Sequence, residues 1–423
     1  MFTRLLSVIP VVAVMSCFVL SERAVQADLS DRFNQLLGQG DLSHAESEFE
    51  ALVKQHPDDQ QARLALGFTQ FVQAIERLAQ DQYRYGLMQQ YARQIPIARL
   101  PVPANPEPQQ ISYDDVRQML DRFGVQLKKA EQTLASVNTQ DVKLSLFLGR
   151  VQLDVDGNGE AAEAESLWRM FGTINQGLQQ EQGEAFSIGM DGADVHWLRG
   201  YCHVLMAFCD LGLAYDGREW FERCGHLLYP DVKTPYDFLK PSSSAGGIDP
   251  QLIADLIAAI HLLNFPLIDQ DRMRSAHSHL LGMVEQSRLS WMRGLEETDD
   301  DREWIPNPQQ EGVLGLRVSR EVIDSWHEVL DEIEAILKGD KLIPFWRIYG
   351  FDPFRTAEVP EQGTGINLMR IFLDPKDLDV VLFLTGTGAA PYLEEGPLST
   401  PAAWNRMMRV FQGEFFGFAI WFN

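Results

Sequence analysis

The sequence predicts a mainly α protein in which helical hairpins pack in series and a small C-terminal α/β or α+β cap closes the chain. Apolar residues recur at helical spacing through most of residues 28–345, whereas residues 346–423 carry short apolar runs separated by glycine and proline. The length of 423 residues predicts several structural units. A composition of 45% hydrophobic and 23% charged residues excludes disordered, collagen-like and low-complexity classes.

Residues 1–27 resemble a secretory signal peptide. Arg4 precedes a long apolar run, and residues 25–27 place small side chains at the cleavage positions. We therefore expect an exported protein, periplasmic or secreted, whose mature chain begins at Asp28. An uncleaved anchor and a lipoprotein attached through Cys17 are the alternatives. No later stretch is long and apolar enough to cross a bilayer, so we expect no membrane span after cleavage.

The charge balance narrows the possible partners. The chain has 36 basic and 60 acidic side chains, which give a net charge of −24. A phosphate backbone would be repelled at long range, so we expect no nucleic-acid partner. The same acidity is compatible with bound cations.

The N-terminal unit, residues 28–95, has a repeat-like pattern. A small residue, an aromatic residue, a terminating proline and a Leu-Gly pair follow one another at set spacing. These are Ala45, Phe49, Pro57, Leu66 and Gly67. The pattern resembles the tetratricopeptide consensus over about one and a half repeats. The resemblance implies a surface that binds another protein or peptide; the alternative is a helical hairpin that packs on the following chain.

Two boundaries divide the rest of the helical part. Five prolines make residues 96–110 a semi-rigid connector. A helical unit over residues 111–240 follows, and it opens with the capping-box residues Ser112 and Asp115. A linker, residues 241–250, then leads to a third helical unit, residues 251–345, whose first helix we expect at residues 251–264.

The C-terminal cap, residues 346–423, is predicted to mix strands and one helix. The apolar runs at residues 365–373, 379–384 and 415–422 are typical of short strands. Thr-Pro before residues 402–411 predicts a helix there. A glycine-rich turn after residue 384, at Gly386 and Gly388, is also the opening of a dinucleotide fingerprint, but too little chain follows it for the fold that fingerprint serves.

The most specific motif is a loop in the second unit. It reads Asp-x-Asp-x-Asn-Gly, and a glutamate follows six residues after the glycine. The motif residues are Asp154, Asp156, Asn158, Gly159 and Glu165. The motif resembles the calcium loop of the EF-hand family. Residues 141–153 and 161–171 are expected to form the two flanking helices.

This resemblance implies a Ca²⁺ ion as cofactor. It implies ligands from the side chains of Asp154, Asp156, Asn158 and Glu165 and from the carbonyl of Glu160. No second loop of this pattern exists to pair with the first, so we expect the calcium to be structural. The alternative is a turn that only caps a helix.

Two weaker groups of residues remain. Asp191, Asp194, His196 and His203 lie within a short stretch and suggest a hydrolytic centre, or else aspartates that cap a helix carrying partly buried histidines. The acidic loop at residues 296–303 is either a second cation site or solvated charge. The function we expect is an exported, calcium-binding helical protein with a binding or scaffolding role; the alternative is an exported hydrolase using the Asp/His group.

The sequence does not decide whether the three cysteines of the mature chain form a disulfide. Cys202 and Cys209 are seven residues apart on one predicted helix, about 10.5 Å along its axis, which is too far for a disulfide. Cys224 could pair with either of them. One bridge plus one thiol, or three buried thiols, are the two alternatives.

Overall fold

The structure is a computed structural model that describes residues 29–88, 96–98, 100–140, 142–169, 180–239, 250–313, 318–350 and 359–400. The predicted signal peptide with Cys17, the helix at 402–411, the strand at 415–422 and most of the linker lie outside these residues. Across the described ranges, no helix combines the length and the apolar character that a bilayer crossing requires.

The described chain is mainly α, as predicted. Helix α1 spans residues 29–37. The helices that follow are α2 (Leu42–Gln55), α3 (Gln60–Arg84), α4 (Tyr113–Ala135), α5 (Gln180–Glu184), α6 (Gly192–Ala214), α7 (Arg218–Cys224), α8 (Pro250–His261), α9 (Gln270–Glu296), α10 (Arg320–Lys338), α11 (Trp346–Tyr349), α12 (Leu368–Leu373) and α13 (Val380–Thr385). The long helices pack in chain order, each on the next: α2, α3, α4, α6, α9 and α10.

In the described residues the strands form three small antiparallel sheets. They are β1 (Leu144–Leu146), β2 (Ile188–Met190), β3 (Asn264–Phe265), β4 (Ile343–Pro344), β5 (Gln362–Ile366), β6 (Leu378–Asp379) and β7 (Leu393–Pro397). Strand β1 pairs with β2 and β3 pairs with β6, while the third sheet has the order β4-β5-β7. Because α11, α12 and α13 lie between or beside the C-terminal strands, the cap is of the α+β type.

The N-terminal helices form a hairpin with a tightly packed interior. Asp41 and Asp59 cap α2 and α3 by accepting backbone N–H groups, and Pro57 stands in the turn between the helices. Phe49 is buried, and its ring meets the edge of Phe33 at 5.7 Å. A Cβ added at Gly67 would come within 2.7 Å of the Leu134 side chain on α4, so only glycine allows α3 and α4 to approach this closely.

Helices α6 and α9 make the most extensive helix pair. Every seventh residue of α6 contacts a side chain on α9, and the partners on α9 are also seven residues apart but run in the opposite chain direction. The pairs are His196 with Gln286, His203 with His279, and Asp210 with Arg272. The two helices are therefore antiparallel, and the seven-residue repeat is that of a coiled-coil seam. One buried cluster, which runs from Phe33 to Phe372, includes residues from α2, α3, α4, α6, α9, α10 and α12.

Two predictions for the cap are wrong. Residues 365–373 are strand only as far as Ile366; the side chain of Asn367 then accepts the N–H of Arg370 and starts α12. Residues 379–384 form α13 instead of a strand, because Asp379 caps that helix in the same way. Short apolar runs fit either structure, and the capping side chain decides between them. The prediction of a helix at 251–264 is confirmed as α8, which ends at His261.

Phe49→Ala should reduce the free energy of unfolding by about 3 to 5 kcal/mol, because the ring is buried and truncation leaves a cavity. Chemical denaturation of both proteins measures this difference. Phe208→Ala is the matched control: its ring is 40% exposed, so we expect a much smaller loss. A loss below about 1 kcal/mol for Phe49→Ala would contradict the buried role of this ring.

Candidate functional site

The candidate calcium loop gathers carboxylates around a tight turn. Asp154, Asp156 and Glu165 each offer a carboxylate oxygen, and these oxygens lie within 4.8 Å of one another. The Asp154 carboxylate accepts the backbone N–H groups of Asn158 and Gly159, both at 3.0 Å. These bonds fold the turn back onto its first residue and hold the carboxylates on one side of it.

The turn depends on two glycines. Gly157 has φ +72° and Gly159 has φ +89°, in the left-handed region that other residues adopt only with strain. Asn158 lies between them, and its amide nitrogen donates to Asp156 at 3.0 Å. Glu160 follows with an exposed side chain, and its backbone N–H donates to the side-chain oxygen of Asn158 at 2.8 Å.

Glu165 closes the loop. Its side chain is buried, and one oxygen accepts the N–H groups of Val155 and Asp156 at 2.9 and 3.1 Å. The other oxygen accepts the N–H of Ala162 at 2.8 Å. The segments that enter and leave the loop pair through an antiparallel bridge between Gln152 and Ser166. This bridge holds the two ends of the loop together, at what we call its neck.

The predicted helix before the loop is wrong, because residues 142–153 contain β1 and a 3-10 turn instead. After the loop, a 3-10 turn at Glu163–Glu165 precedes helical residues 167–169, and residues 170–171 of the predicted second helix lie outside the described residues. Burial alternates at Val142, Leu144 and Leu146, which is strand periodicity. The loop has EF-hand spacing, but in the described residues a strand and a 3-10 turn precede it where the EF-hand pattern has a helix.

Helix α3 holds the start of the loop in place. The backbone N–H of Asp154 donates to the Glu76 carboxylate at 2.9 Å, and the Gln80 side chain donates to the Asp154 carbonyl at 2.7 Å. Burial, followed by the nearby Asp154 charge, raises the pKa of Glu76 to about 7. Neither residue was predicted from the sequence. Glu76 is one of several polar side chains buried on α3, with Thr69 and Gln73 on the same face, so no local pattern singles it out.

A second carboxylate cluster forms where the start of α6 meets the acidic loop at residues 296–303. Asp191, which precedes α6, lies with Glu297 and Glu303 of the acidic loop, and their oxygens are within 4.8 Å of one another. The loop reaches this position because β2 bonds to it: the N–H of Gly189 donates to the carbonyl of Arg302. Arg302 has φ +63°, which is uncommon for a residue with a side chain.

Burial makes this cluster hold protons. It raises the pKa of Glu297 to about 9, and the neighbouring Asp191 charge adds to that effect. Burial also raises the pKa values of Glu303 and Asp194. At neutral pH Glu297 therefore keeps its proton and donates it in a hydrogen bond to Asp191. The cluster can store a proton, or bind a cation after losing it.

The hydrolytic centre considered in the sequence analysis is not assembled. Asp191 and Asp194 form a capping box at the start of α6, which was the alternative interpretation. His196 contacts Gln286 at 2.8 Å. His203 lies two turns away, about 10.5 Å along the axis, and contacts His279 at 2.9 Å. Both histidines thus belong to the α6–α9 seam.

The His203–His279 pair is enclosed by charged groups. Their Nδ1 atoms face each other, so one donates and the other accepts. The Nε2 atom of His203 is 3.8 Å from Glu131 of α4, and that of His279 is 3.8 Å from Asp210. Burial lowers the pKa of His203 to about 4 and also lowers that of His279.

The remaining sequence candidates have structural roles. Gly386 adopts φ +101° and ends α13, so the glycine-rich turn is a helix terminus rather than a dinucleotide loop. Cys202, Cys209 and Cys224 are all buried free thiols, so the alternative with one disulfide is wrong.

Glu297→Gln should flatten the pH dependence of stability on the alkaline side. The folded-state pKa is raised, so the protonated form stabilises the fold fully below about pH 4.5, and this contribution is lost as pH rises through about 9. The amide keeps a donor toward Asp191 at every pH. Unfolding free energies from pH 5 to 9 in chelator measure the slope. Glu296→Gln, the exposed neighbour, is the control, and equal slopes in the two variants would contradict the buried proton.

His279→Asn should make the acid-side loss of stability smaller. The pKa values of both histidines are lowered, so their contribution is present above about pH 6.5 and is lost as pH falls toward about 4. Asparagine places an amide donor where Nδ1 stood and does not titrate. Unfolding free energies at pH 4.5 and 7 are to be compared with those of His44→Asn, an exposed control. If the two variants lost the same unfolding free energy between pH 7 and 4.5, the histidine pair would not be the source of the acid-side loss of stability.

Comparison of the chain with protein-family models, with curated proteins and with solved structures found no match in any of the three. We therefore derive its function from the geometry of its own sites.

Proposed function

We propose that the protein is an exported, calcium-binding helical protein with a binding or scaffolding role, in which the calcium is structural. The convergence of the Asp154, Asp156 and Glu165 carboxylates within 4.8 Å carries the calcium part of this proposal. The signal-peptide pattern of residues 1–27 supports export. The long packed helices, including the repeat-like hairpin of α2 and α3, support a role in binding another protein or peptide.

The donor set suits a hard cation. Carboxylates, the Asn158 amide oxygen and the Glu160 carbonyl are all oxygen ligands, which Ca²⁺ prefers. The loop would supply these oxygens from one side, and water would complete the coordination. Mg²⁺ demands a tight octahedral arrangement and gives up water reluctantly, so this open turn favours Ca²⁺.

A structural role follows from where the loop is attached. Glu76 and Gln80 join its first residue to α3, and the bridge between Gln152 and Ser166 closes its neck. An ion that neutralised the three carboxylates would remove their mutual repulsion and strengthen this junction. It would have little to move directly beside the loop, because Leu148–Arg150 and Glu163–Glu165 are short turns and not the long helices that open in sensor proteins.

Calcium should stabilise the native state modestly. For a dissociation constant near 10⁻⁴ M, typical of weak extracellular sites, millimolar calcium adds about 1.4 kcal/mol to the free energy of unfolding. A thermal scan with and without 5 mM calcium should show a rise of about 1 to 3 °C in the melting temperature, and magnesium should produce less. Asp154→Asn and Glu165→Gln should each abolish the rise.

The calcium experiment has an internal control. Glu160→Gln changes an exposed side chain at a position that would use its carbonyl, so the calcium shift should persist. Glu165→Gln also weakens hydrogen bonds in the ion-free protein, so the measured quantity is the difference between scans with and without calcium. No shift in the parent protein would refute a calcium site. A shift lost only in Glu297→Gln would place the ion at the buried carboxylate cluster.

A further inference from the structure

A groove with an apolar floor lies between α7, α8 and α13. Its volume is about 1120 Å³, and it also touches strands β3 and β6 through Asn264 and Asp379. Ile257 and Ile260 of α8 and Val381 and Leu382 of α13 line its floor. These four side chains are between 37% and 63% exposed. Exposed apolar side chains from two helices thus line the same groove.

Helix α8 presents one full apolar stripe. Ile253, Leu256, Ile257 and Ile260 follow the i, i+3, i+4, i+7 spacing of one helical face, and all four are exposed. The helix is fixed to α7 and its surroundings through other positions. The Trp220 side chain donates to the carbonyl of Ala259 at 3.1 Å, and Asp255 pairs with His226 at 3.0 Å.

The rim of the groove is acidic. Its lining contains five carboxylates and two guanidinium groups. The carboxylates belong to Asp216, Glu219, Glu222, Asp377 and Asp379. Arg223 pairs with Glu219 of the lining at 3.3 Å, and Arg218 pairs with Asp114 at 2.6 Å, so the lining has three more carboxylates than guanidinium groups. A partner therefore meets apolar contact in the floor and negative charge at the edges.

We propose that this groove binds a partner helix whose apolar face is flanked by lysine or arginine. An apolar stripe on a helix fits a floor made of two helices, as in other helix-in-groove complexes. Basic residues beside the stripe would meet the acidic rim, and this complementarity would raise the association rate and select the partner.

The same charges disfavour other occupants. A second copy of the chain would bring one acidic rim onto another, because a twofold interface joins identical patches. An anionic lipid surface would repel both the rim and a chain of net charge −24. Strand addition finds no support in the groove, since β3 and β6 are two-residue strands already paired with each other.

This inference rests on the binding role in the proposed function, but it does not depend on calcium. Peptide binding is therefore to be measured both in calcium and in chelator. Loss of the calcium-dependent melting shift with intact peptide binding would refute only the calcium site, whereas the converse result would refute only the groove.

The test uses two synthetic helical peptides of about 18 residues, long enough to form a helix on contact. They share one leucine face, and the positions on either side of that face carry lysine in one peptide and glutamate in the other. Fluorescence titration of the full-length protein should show that the lysine peptide binds at least about tenfold more tightly. Raising the salt concentration should weaken this binding.

Groove variants show where the peptide binds. Ile257→Ser with Leu382→Ser should weaken lysine-peptide binding at least about tenfold. Val125→Ser is the matched control, because Val125 on α4 is 62% exposed and Ile257 is 63% exposed. Circular dichroism and melting scans check that each variant is folded. Since all these side chains are exposed, we expect the fold to persist.

Rim variants separate the effect of the rim carboxylates on peptide binding from the effect of the protein's net charge. Glu219→Gln with Glu222→Gln should weaken binding of the lysine peptide and reduce its salt dependence. Asp58→Asn with Glu321→Gln removes the same number of charges from exposed positions elsewhere and should have little effect.

Four results would overturn the proposal. They are equal binding of both peptides, no binding of either peptide, unchanged binding by the Ile257→Ser and Leu382→Ser variant, and equal weakening by Val125→Ser. Self-association in sedimentation, or binding to anionic vesicles, that is lost in the groove variant would assign the surface to a second copy or to a membrane instead.

Discussion

The antiparallel register of α6 and α9 is the constraint on which the rest of the fold depends. Three polar contacts, one in every second turn, fix the alignment of these helices. A slip of one turn would separate the buried His196 and Asp210 side chains from their partners on α9, and a buried polar group without a partner costs more than an apolar mismatch. In coiled coils, buried polar residues specify register in the same way.

Other elements attach to this pair at defined points. Helix α4 reaches α6 through Glu131, which accepts from Arg199 at 2.9 Å. Helix α10 joins α9 through Arg288, which pairs with Asp331 at 2.7 Å, and His277 of α9 contacts the carbonyl of Leu337 at 2.8 Å. Asp191 at the start of α6 meets the acidic loop that follows α9. The buried carboxylate cluster is therefore a consequence of the helix register.

Sequence patterns predicted the helices better than the contacts between them. Long amphipathic stretches and capping residues such as Ser112 identified α2, α3, α4 and α8, because helical periodicity and capping are local properties. Strand β1, which precedes the candidate calcium loop, was missed although burial alternates at Val142, Leu144 and Leu146, since the EF-hand resemblance favoured a helix. Glu76 contacts the candidate calcium loop, and Glu297 belongs to the buried carboxylate cluster. Each comes from a segment distant in sequence from its partners, and no local pattern specifies such contacts.

The reactivity of the three buried thiols depends on opening of the native fold. Cys202, Cys209 and Cys224 are almost completely shielded, and burial raises their pKa values, to about 12 for Cys209 and about 11 for Cys224. The thiolate is the reactive form, so the native protein presents almost none of it to a reagent or to a disulfide partner. Cys202 and Cys209 lie on α6 and pack against residues of α3 and α4, so they become reactive only when α6 separates from these helices. Oxidative cross-linking of this chain is then limited by the rate of helix separation, and the native fold protects itself kinetically against disulfide exchange.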